Sequence, residues 1–284
     1  MSLTPECPAW TERTELLFGG ERVRELAACH VLVVGLGGVG GYAAELIARA
    51  GIGRMTIVDA DTVQPSNINR QLVATTETIG QAKSAVLAER LRSINPSLQL
   101  EAIQAFLKDE SLTELLDRHR YDYIVDAIDS LTPKTHLIAQ ALQRGLPIIS
   151  SMGAGAKSDP FKIQLADLSR SNSCTLARVL RKRLRKLGVH QGLPVVFSSE
   201  LPDPKAVNPG RAVQALYSWY RLLHACPLRL SPSRLRHPAP TEVHPFHRDD
   251  PCPMIIEATN IHKSFGTLEV LKGIDLRVDA REVI

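Results

Sequence analysis

The sequence predicts an α/β protein: a doubly wound, mainly parallel, Rossmann-like sheet with helices on both faces, followed by an irregular C-terminal tail. Three observations predict it. Short apolar runs alternate with helical stretches from His30 to Ser151, the pattern of successive β-α-β units. A glycine turn, Gly35-Leu36-Gly37-Gly38-Val39-Gly40-Gly41, follows the first apolar run and opens the first helix, where a nucleotide-binding sheet carries its phosphate loop. Asp59 and Asp129 each end a later apolar run, on the side of such a sheet where ligands bind.

Taken in order, residues 1–29 form an N-terminal arm of two short helical pieces broken at Gly19-Gly20, with Arg13 in the segment R-T-E-L-L-F-G. A nucleotide domain follows over residues 30–200. Its expected elements are a strand from His30 to Val34, a helix from Gly40 to Ala50, a strand from Arg54 to Asp59 and a helix from Gly80 to Ile94, which Asn95-Pro96 stops. A strand from Leu98 to Ile103, a helix from Ser111 to His119 and a strand from Tyr121 to Ala127 come next. The last pair is a helix from Pro133 to Arg144, its proline in the first turn, and a strand from Pro147 to Ser151. After Glu200 the composition changes: ten of the 18 prolines lie between Pro202 and Pro253, mixed with arginine and histidine. Residues 201–253 are therefore read as a linker, and 254–284 as a two-strand pattern broken at Gly266.

Composition narrows the class. The 284 residues, 44% hydrophobic and 23% charged, suffice for one large core or two modest domains. Met1 to Trp10 has no basic region followed by an apolar core, and no run of 18 apolar residues occurs. Neither a signal peptide nor a membrane span is expected, which points to a cytoplasmic protein. The five cysteines, Cys7, Cys29, Cys174, Cys226 and Cys252, are odd in number and never form C-x-x-C; a disulfide framework and a structural zinc site are both disfavoured. His244, His247 and Cys252 sit in a proline-rich setting with no element to fix them as metal ligands.

The chemistry concentrates between His30 and Asp129. Gly35, Gly37 and Gly40 let the backbone leave a strand sharply, approach a phosphate and enter a tightly packed helix. The helix N-terminus, with its free N–H groups and positive dipole end, then favours the anion. Asp59, at the second strand's end, can accept hydrogen bonds from ribose hydroxyls. Alone, these features suit a dinucleotide dehydrogenase or a purely structural turn equally well. The following loop shifts the balance: Asn67, Asn69, Arg70 and Gln71 precede Lys83, and Asp129 ends a later strand. Arg70 and Lys83 can neutralise a triphosphate, and Asp129 can hold Mg²⁺ with water and phosphate completing the octahedron. Asp126 competes for the metal role from three residues away, and either acid can instead cap the following helix or contact the loop. Gly153-Ala154-Gly155-Ala156-Lys157-Ser158 lacks the spacing of a phosphate loop.

Between Leu168 and Ser199 there is no acid, while seven basic residues give that stretch +7, so the rest of a +4 chain carries −3. Most of them fall on an expected helix, Thr175 to Leu187, with Leu176, Leu180, Leu184 and Leu187 as one apolar stripe and the arginines facing away. Arg178, Arg181, Lys182, Arg183, Arg185 and Lys186 read either as an RNA-backbone surface or as a solvated face. Cys174, just before this helix, is either an activated thiol or a small buried residue.

The motifs G-L-G-G-V-G-G, D-A-D, S-N-I-N-R-Q, G-Q-A-K and A-I-D-S, in that order, resemble the adenylating superfamily of ubiquitin-activating enzymes. Its bacterial members include the molybdopterin and thiamin sulfur-carrier adenylyltransferases. From about Glu12 to about Glu200 the chain is most similar to the tRNA threonylcarbamoyladenosine dehydratases. The resemblance implies ATP and Mg²⁺ as cofactors, with Gly35, Gly37, Gly38, Gly40, Asp59, Asp61, Asn67, Asn69, Arg70, Gln71, Lys83 and Asp129 around the nucleotide and Asp129 on the metal. It implies catalytic roles for Arg70, Lys83, Asp129 and Arg13, the last reaching a neighbouring subunit's phosphates in a homodimer. The implied reaction is adenylation of the threonylcarbamoyl carboxylate on an adenosine next to the tRNA anticodon, then cyclisation with loss of AMP. Partners implied are tRNA and, further, proteins of a sulfur-transfer or cysteine desulfurase system. The alternatives are an adenylyltransferase for a sulfur carrier's C-terminal glycine, whose relatives often carry a four-cysteine zinc site, and a nucleotide-binding fragment without turnover. Residues 254–284 resemble the first two strands of an ABC transporter ATPase subunit, with Phe265 at the adenine-stacking position. That resemblance, together with the absence of the dehydratases' own C-terminal strand and helix, implies a fused or frameshifted reading frame.

Overall fold

Strand β1, His30–Val34, is buried at all five positions, as expected of a parallel strand covered on both faces. Val31 and Val33 join one core cluster and Leu32 and Val34 the other, because successive side chains point to opposite sides of a sheet. The computed structural model describes residues 8–203 in full and, beyond them, the backbone of residues 207–208, 211–212, 254–265 and 268–279.

Around β1 lie β2 (Arg54–Val58), β3 (Gln99–Ile103), β4 (Tyr123–Asp126), β5 (Ile148–Ser151), β6 (Ile163–Asp167) and β7 (Pro194–Ser198). Their order is β3-β2-β1-β4-β5-β7-β6. All neighbours run parallel except β6, which closes one edge antiparallel to β7. The helices are α1 (Glu12–Phe18), α2 (Gly20–Ala28), α3 (Gly40–Arg49), α4 (Lys83–Ile94), α5 (Asp109–Arg118), α6 (Leu131–Gln143) and α7 (Thr175–Lys186).

One cluster packs Met55 and Ile57 with Ala44 and Ile47 of α3 and Leu87 and Leu91 of α4. The other packs Val58 and Ile124 with Leu112 and Leu116 of α5, Leu137 and Ile138 of α6, and Leu180 and Leu184 of α7. Each fully buried valine, leucine, isoleucine or methionine among them is worth roughly 1.5 to 3 kcal/mol. The chain runs outward from β1 through β2 to β3, then crosses back to β4 on the other side of β1. That reversal makes the carboxyl ends of β1 and β4 a topological switch point, where open α/β sheets bind ligands.

Several boundaries differ from the sequence expectation. Helix α4 starts at Lys83 rather than Gly80, because Gly80 adopts φ +85 and residues 80–82 pair with Thr62 and Val63 instead. Helix α6 starts at Leu131, and Pro133 still falls in the first turn, where its missing N–H has no intrahelical partner to lose. In α7 the buried stripe is Ala177, Leu180 and Leu184; Leu176 is half-buried and Leu187 is 49% exposed past the helix end. The remaining strand and helix ends shift by one or two residues.

The chain divides into two compact units, Met1–Leu235 and Arg236–Ile284. In the first, β8 (Val207–Asn208) pairs antiparallel with β9 (Arg211–Ala212). In the second, β10 (Met254–Phe265) pairs antiparallel with β11 (Leu268–Asp279), on either side of the expected break at Gly266. Cys7, Cys226, His244, His247 and Cys252 lie outside the described residues. Among the described residues no helix is long and apolar enough to cross a membrane.

Candidate nucleotide site

The glycine turn is required by its neighbours. At Gly35, φ is +88, and an added Cβ would stand 2.7 Å from the Ala127 carbonyl oxygen. At Gly40 a Cβ would fall 1.7 Å from the Gly35 carbonyl oxygen, so neither position accepts a side chain while β1, the turn and the loop after β4 keep this approach. Gly37 is different. A Cβ there meets only the Gln71 side chain, at 3.6 Å, which leaves that side of the turn open to a ligand. Helix α3 begins after Val39 with no side-chain cap; its Gly41 and Ala43 N–H groups already donate to the Gly37 and Val39 carbonyls, so an anion here meets the positive dipole end of the helix and the N–H groups of the turn before it.

These groups face an open cleft of about 810 Å³, solvent mouth included, at the carboxyl ends of β1, β2 and β4. Gly35, Gly37, Gly38, Asp59, Asp61, Arg70, Gln71, Lys83 and Asp129 line it. The structure therefore brings together residues spread over nearly a hundred positions of sequence. Asp59 does more than face the cleft: Oδ2 accepts the Leu36 N–H at 2.6 Å and Oδ1 accepts the Asp61 N–H at 2.8 Å, tying the glycine turn to the end of β2. A carboxylate has about four lone-pair sites, so capacity for a ribose hydroxyl remains. Lys83 is 4% exposed, and its Nζ lies 2.8 Å from Asp61 Oδ2. A cation in the first turn of α4 opposes the helix dipole, and Asp61 offsets that cost. Gln71 is 8% exposed and its Oε1 has no hydrogen-bond partner among the described residues, leaving an acceptor on the cleft wall for a ligand donor.

Four expected site residues are not on this wall. Asn67 is buried, and its Oδ1 accepts the Gln64 N–H at 3.0 Å to shape the 3-10 turn Pro65–Asn67. Asn69 Oδ1 accepts from Arg70 Nη1 at 2.9 Å, and the Ser66 carbonyl accepts from the same nitrogen at 2.9 Å. Both asparagines thus support the loop that presents Arg70. Gly40 lies behind the turn for the steric reason above, and Arg13 is exposed on α1, away from the cleft lining.

Asp126 and Asp129 have different surroundings. Asp129 is exposed at the cleft and takes no hydrogen bond from a described residue. Asp126 is fully buried. Its Oδ2 is 2.9 Å from Lys134 Nζ and accepts the Ser150 hydroxyl at 2.6 Å; its Oδ1 accepts the Ile128 N–H at 3.1 Å. Lys134, also 0% exposed, donates to the Ile128 carbonyl at 2.8 Å. Burying two such charges costs on the order of several kcal/mol per ion, which only close pairing and full hydrogen bonding offset. Lys134 and Ser150 carry no motif and escaped the sequence reading; the one signal was a lysine among the apolar positions of α6. Phe106, 61% exposed beside the cleft, escaped it too.

On α7, Arg178, Lys182, Arg183, Arg185 and Lys186 are exposed. Arg181 corrects the expectation that all the arginines face away: its Nη1 turns inward to the Leu168 carbonyl (2.8 Å), the Ser171 carbonyl (2.8 Å) and Ser171 Oγ (2.9 Å). Arg183 donates to Thr132 Oγ1 at 2.9 Å. Cys174 is buried at the helix N-cap, where its sulfur accepts the Ala177 N–H at 3.4 Å. In the rejected glycine-rich loop, Lys157 turns away from solvent to the Ser173 and Ser198 carbonyls, at 2.8 and 2.6 Å, and burial pulls its pKa down.

The profile of the ThiF family matches residues 12–263. The chain is 42% identical over 190 residues to the tRNA threonylcarbamoyladenosine dehydratase of Bacillus subtilis, a match covering 67% of this chain and 74% of that protein. It is 39% identical over 202 residues to the protein of the same name from Escherichia coli, covering 68% and 75%. The crystal structure of E. coli tRNA N6-threonylcarbamoyladenosine dehydratase in complex with ATP superposes with a TM-score of 0.70 at 34% identity, covering 80% of this chain and all of the other.

Proposed function

The chain belongs to the ThiF family, and from that premise we propose that it is an ATP-dependent tRNA threonylcarbamoyladenosine dehydratase. It adenylates the threonylcarbamoyl carboxylate of an adenosine next to the anticodon and then closes the ring with release of AMP. One observation carries this reading. The open glycine turn leading into α3, the cations Arg70 and Lys83, and the exposed Asp129 carboxylate all line one cleft, the set an attack on an α-phosphate needs.

In this cleft the phosphates lie along the turn and the N-terminal end of α3, and Asp59 and Gln71 accept from ribose or base donors. Phe106 offers its ring to the base. A substrate carboxylate oxygen attacks the α-phosphorus as the bond to pyrophosphate breaks, and Arg70 and Lys83 balance the charge that collects on the leaving group. The substrate's own carbamoyl group then attacks the activated carbonyl carbon, and AMP leaves. Asp129 is the residue that would hold Mg²⁺. Its carboxylate accepts no hydrogen bond from a described residue, and a single carboxylate suits a cation that keeps waters and substrate phosphates as its other ligands. When bound, the metal neutralises phosphate charge.

The tRNA approaches the exposed basic residues of α7, Arg178, Lys182, Arg183, Arg185 and Lys186. A homodimer completes the reading: α1 exposes Leu16 (70%) and Leu17 (73%) together with Arg13, an apolar surface that a second copy can cover while delivering the arginine. Such a tRNA-modifying enzyme works in the cytoplasm. Pyrophosphate exchange tests the central claim. Exchange that requires tRNA carrying threonylcarbamoyladenosine supports it; exchange driven instead by a sulfur-carrier protein, or none with either, refutes it.

A further inference from the structure

We propose that Asp126, Lys134 and Ser150 form a buried positioning unit that sets the Asp129 carboxylate for Mg²⁺-ATP. The inference rests on the reading of Asp129 as the metal-holding residue.

The geometry supplies the mechanism. Strand β4 ends at Asp126, and the last bond of its ladder with β1 is Ala127 N–H to the Val34 carbonyl at 2.8 Å. Beyond that point the sheet no longer holds the chain. The ion pair takes over: Asp126 Oδ1 accepts the Ile128 N–H at 3.1 Å, and Lys134 Nζ donates to the Ile128 carbonyl at 2.8 Å. That carbonyl belongs to the peptide joining Ile128 to Asp129. Both polar groups of Ile128 are thus held by opposite members of one pair, and the plane from which Asp129 departs is set by a lysine. Ser150, on the adjacent strand β5, donates to Asp126 Oδ2 at 2.6 Å, so Asp126 is itself held by a neighbouring element.

Two further facts argue that the pair is kept for position. Lys134 and Asp126 are both 0% exposed, where an apolar pair of similar volume would avoid the burial of charge. Lys134 also lies in the first turn of α6, the end of a helix at which a cation is disfavoured. Neither cost improves packing. Both are accepted at the one place where a donor must reach the Ile128 carbonyl.

The test is isothermal titration of ATP into the full chain, in Mg²⁺ and in EDTA, with the dissociation constant in EDTA divided by that in Mg²⁺ as readout. Asp129→Asn is the benchmark and should bring the ratio close to one. The neutral double variant Asp126→Asn/Lys134→Met should lower the ratio at least fivefold while metal-free affinity stays within twofold. A purely structural pair would lower the melting temperature and leave the ratio alone, and that result overturns the proposal. If Asp129→Asn itself leaves the ratio unchanged, the metal reading falls and this inference with it. Should the double variant lack a cooperative unfolding transition, Ser150→Ala decides: a lowered ratio supports the positioning unit and an unchanged ratio overturns it.

Discussion

Lowering the pH from 7.5 to 5.0 should remove about 2 kcal/mol of stability through one residue, His30. It opens β1, is 5% exposed, and packs its ring 4.8 Å from Tyr121 and 5.2 Å from His119, with Nε2 2.9 Å from Thr56 Oγ1. Burial, then repulsion from His119 and Arg54, lowers its pKa from 6.5 to about 4; Asp122 and Glu101 oppose the shift more weakly. The folded state therefore resists a proton that the unfolded chain accepts. His30's contribution is complete above pH 6.5 and is lost as the pH falls from 6.5 toward 4. At pH 5.0 the unfolded chain is almost fully protonated at this position and the native state is mostly not, a roughly thirtyfold bias or about 2 kcal/mol. His119 and Arg54 reach solvent, so salt trims the figure. Urea unfolding followed by far-ultraviolet circular dichroism at both pH values, in the parent and in His30→Gln, isolates the effect, since the other histidines and the carboxylates are common to both proteins. Equal losses in the two proteins would refute the reasoning.

Arg70→Ala and Lys83→Ala should each raise the barrier for adenylation by about 2 to 4 kcal/mol, because the cation acts on charge that develops in the transition state; if pyrophosphate release by both variants stays within twofold of the parent, the cleft is not the reaction site. Replacing Arg178, Lys182 and Arg185 with Glu should weaken tRNA binding for every tRNA sequence and flatten its dependence on salt, with ATP affinity unchanged. An unaltered salt slope in filter binding marks α7 as a solvated face. Arg181→Ala should instead destabilise the fold by about 1 to 3 kcal/mol, because the buried Ser171 carbonyl loses the guanidinium donor that ties α7 to the turn before it, while the Leu168 carbonyl keeps the Ser171 hydroxyl.

The alternation of apolar runs and helices was enough to read the parallel sheet from β1 to β5, because burial on both faces leaves continuous apolar strands that few other arrangements produce. The antiparallel edge formed by β6 was not legible: Gln164 and Leu165 face solvent, and a half-exposed edge strand has no such run. Gly35, Asp59, Lys83 and Asp129 could be singled out as candidates because a glycine turn between a strand and a helix, followed by acids at later strand ends, is the pattern by which such sheets bind nucleotides. Asn67 and Asn69 belong to the same motif, yet one caps a 3-10 turn and the other steadies Arg70. A motif records which residues are needed together and is silent on which of them touch the ligand. The Lys134 contact with the Ile128 carbonyl was invisible for another reason, since a lysine on a helix is normally solvated and only the packed fold shows where this one goes.

The activated carboxyl group needs a nucleophile, and the cleft bears on which kind. Of the thiols among the described residues, Cys29, just past α2, donates to the Glu25 carbonyl at 3.2 Å, and Cys174 caps α7 while packing against Gly153. Neither lines the nucleotide cleft. Cys174 is 9% exposed and enclosed by the second core cluster, where a bulky acyl adenylate has no approach. Cyclisation by the substrate asks for no protein thiol at all. It asks that the adenylate and the carbamoyl group stay in one orientation while water is kept from the carbonyl carbon. The rigid parts of the site supply that orientation: the turn locked by Gly35 and Gly40, the Asp59 tie across β1 and β2, and the loop after β4 held from beneath by a buried pair.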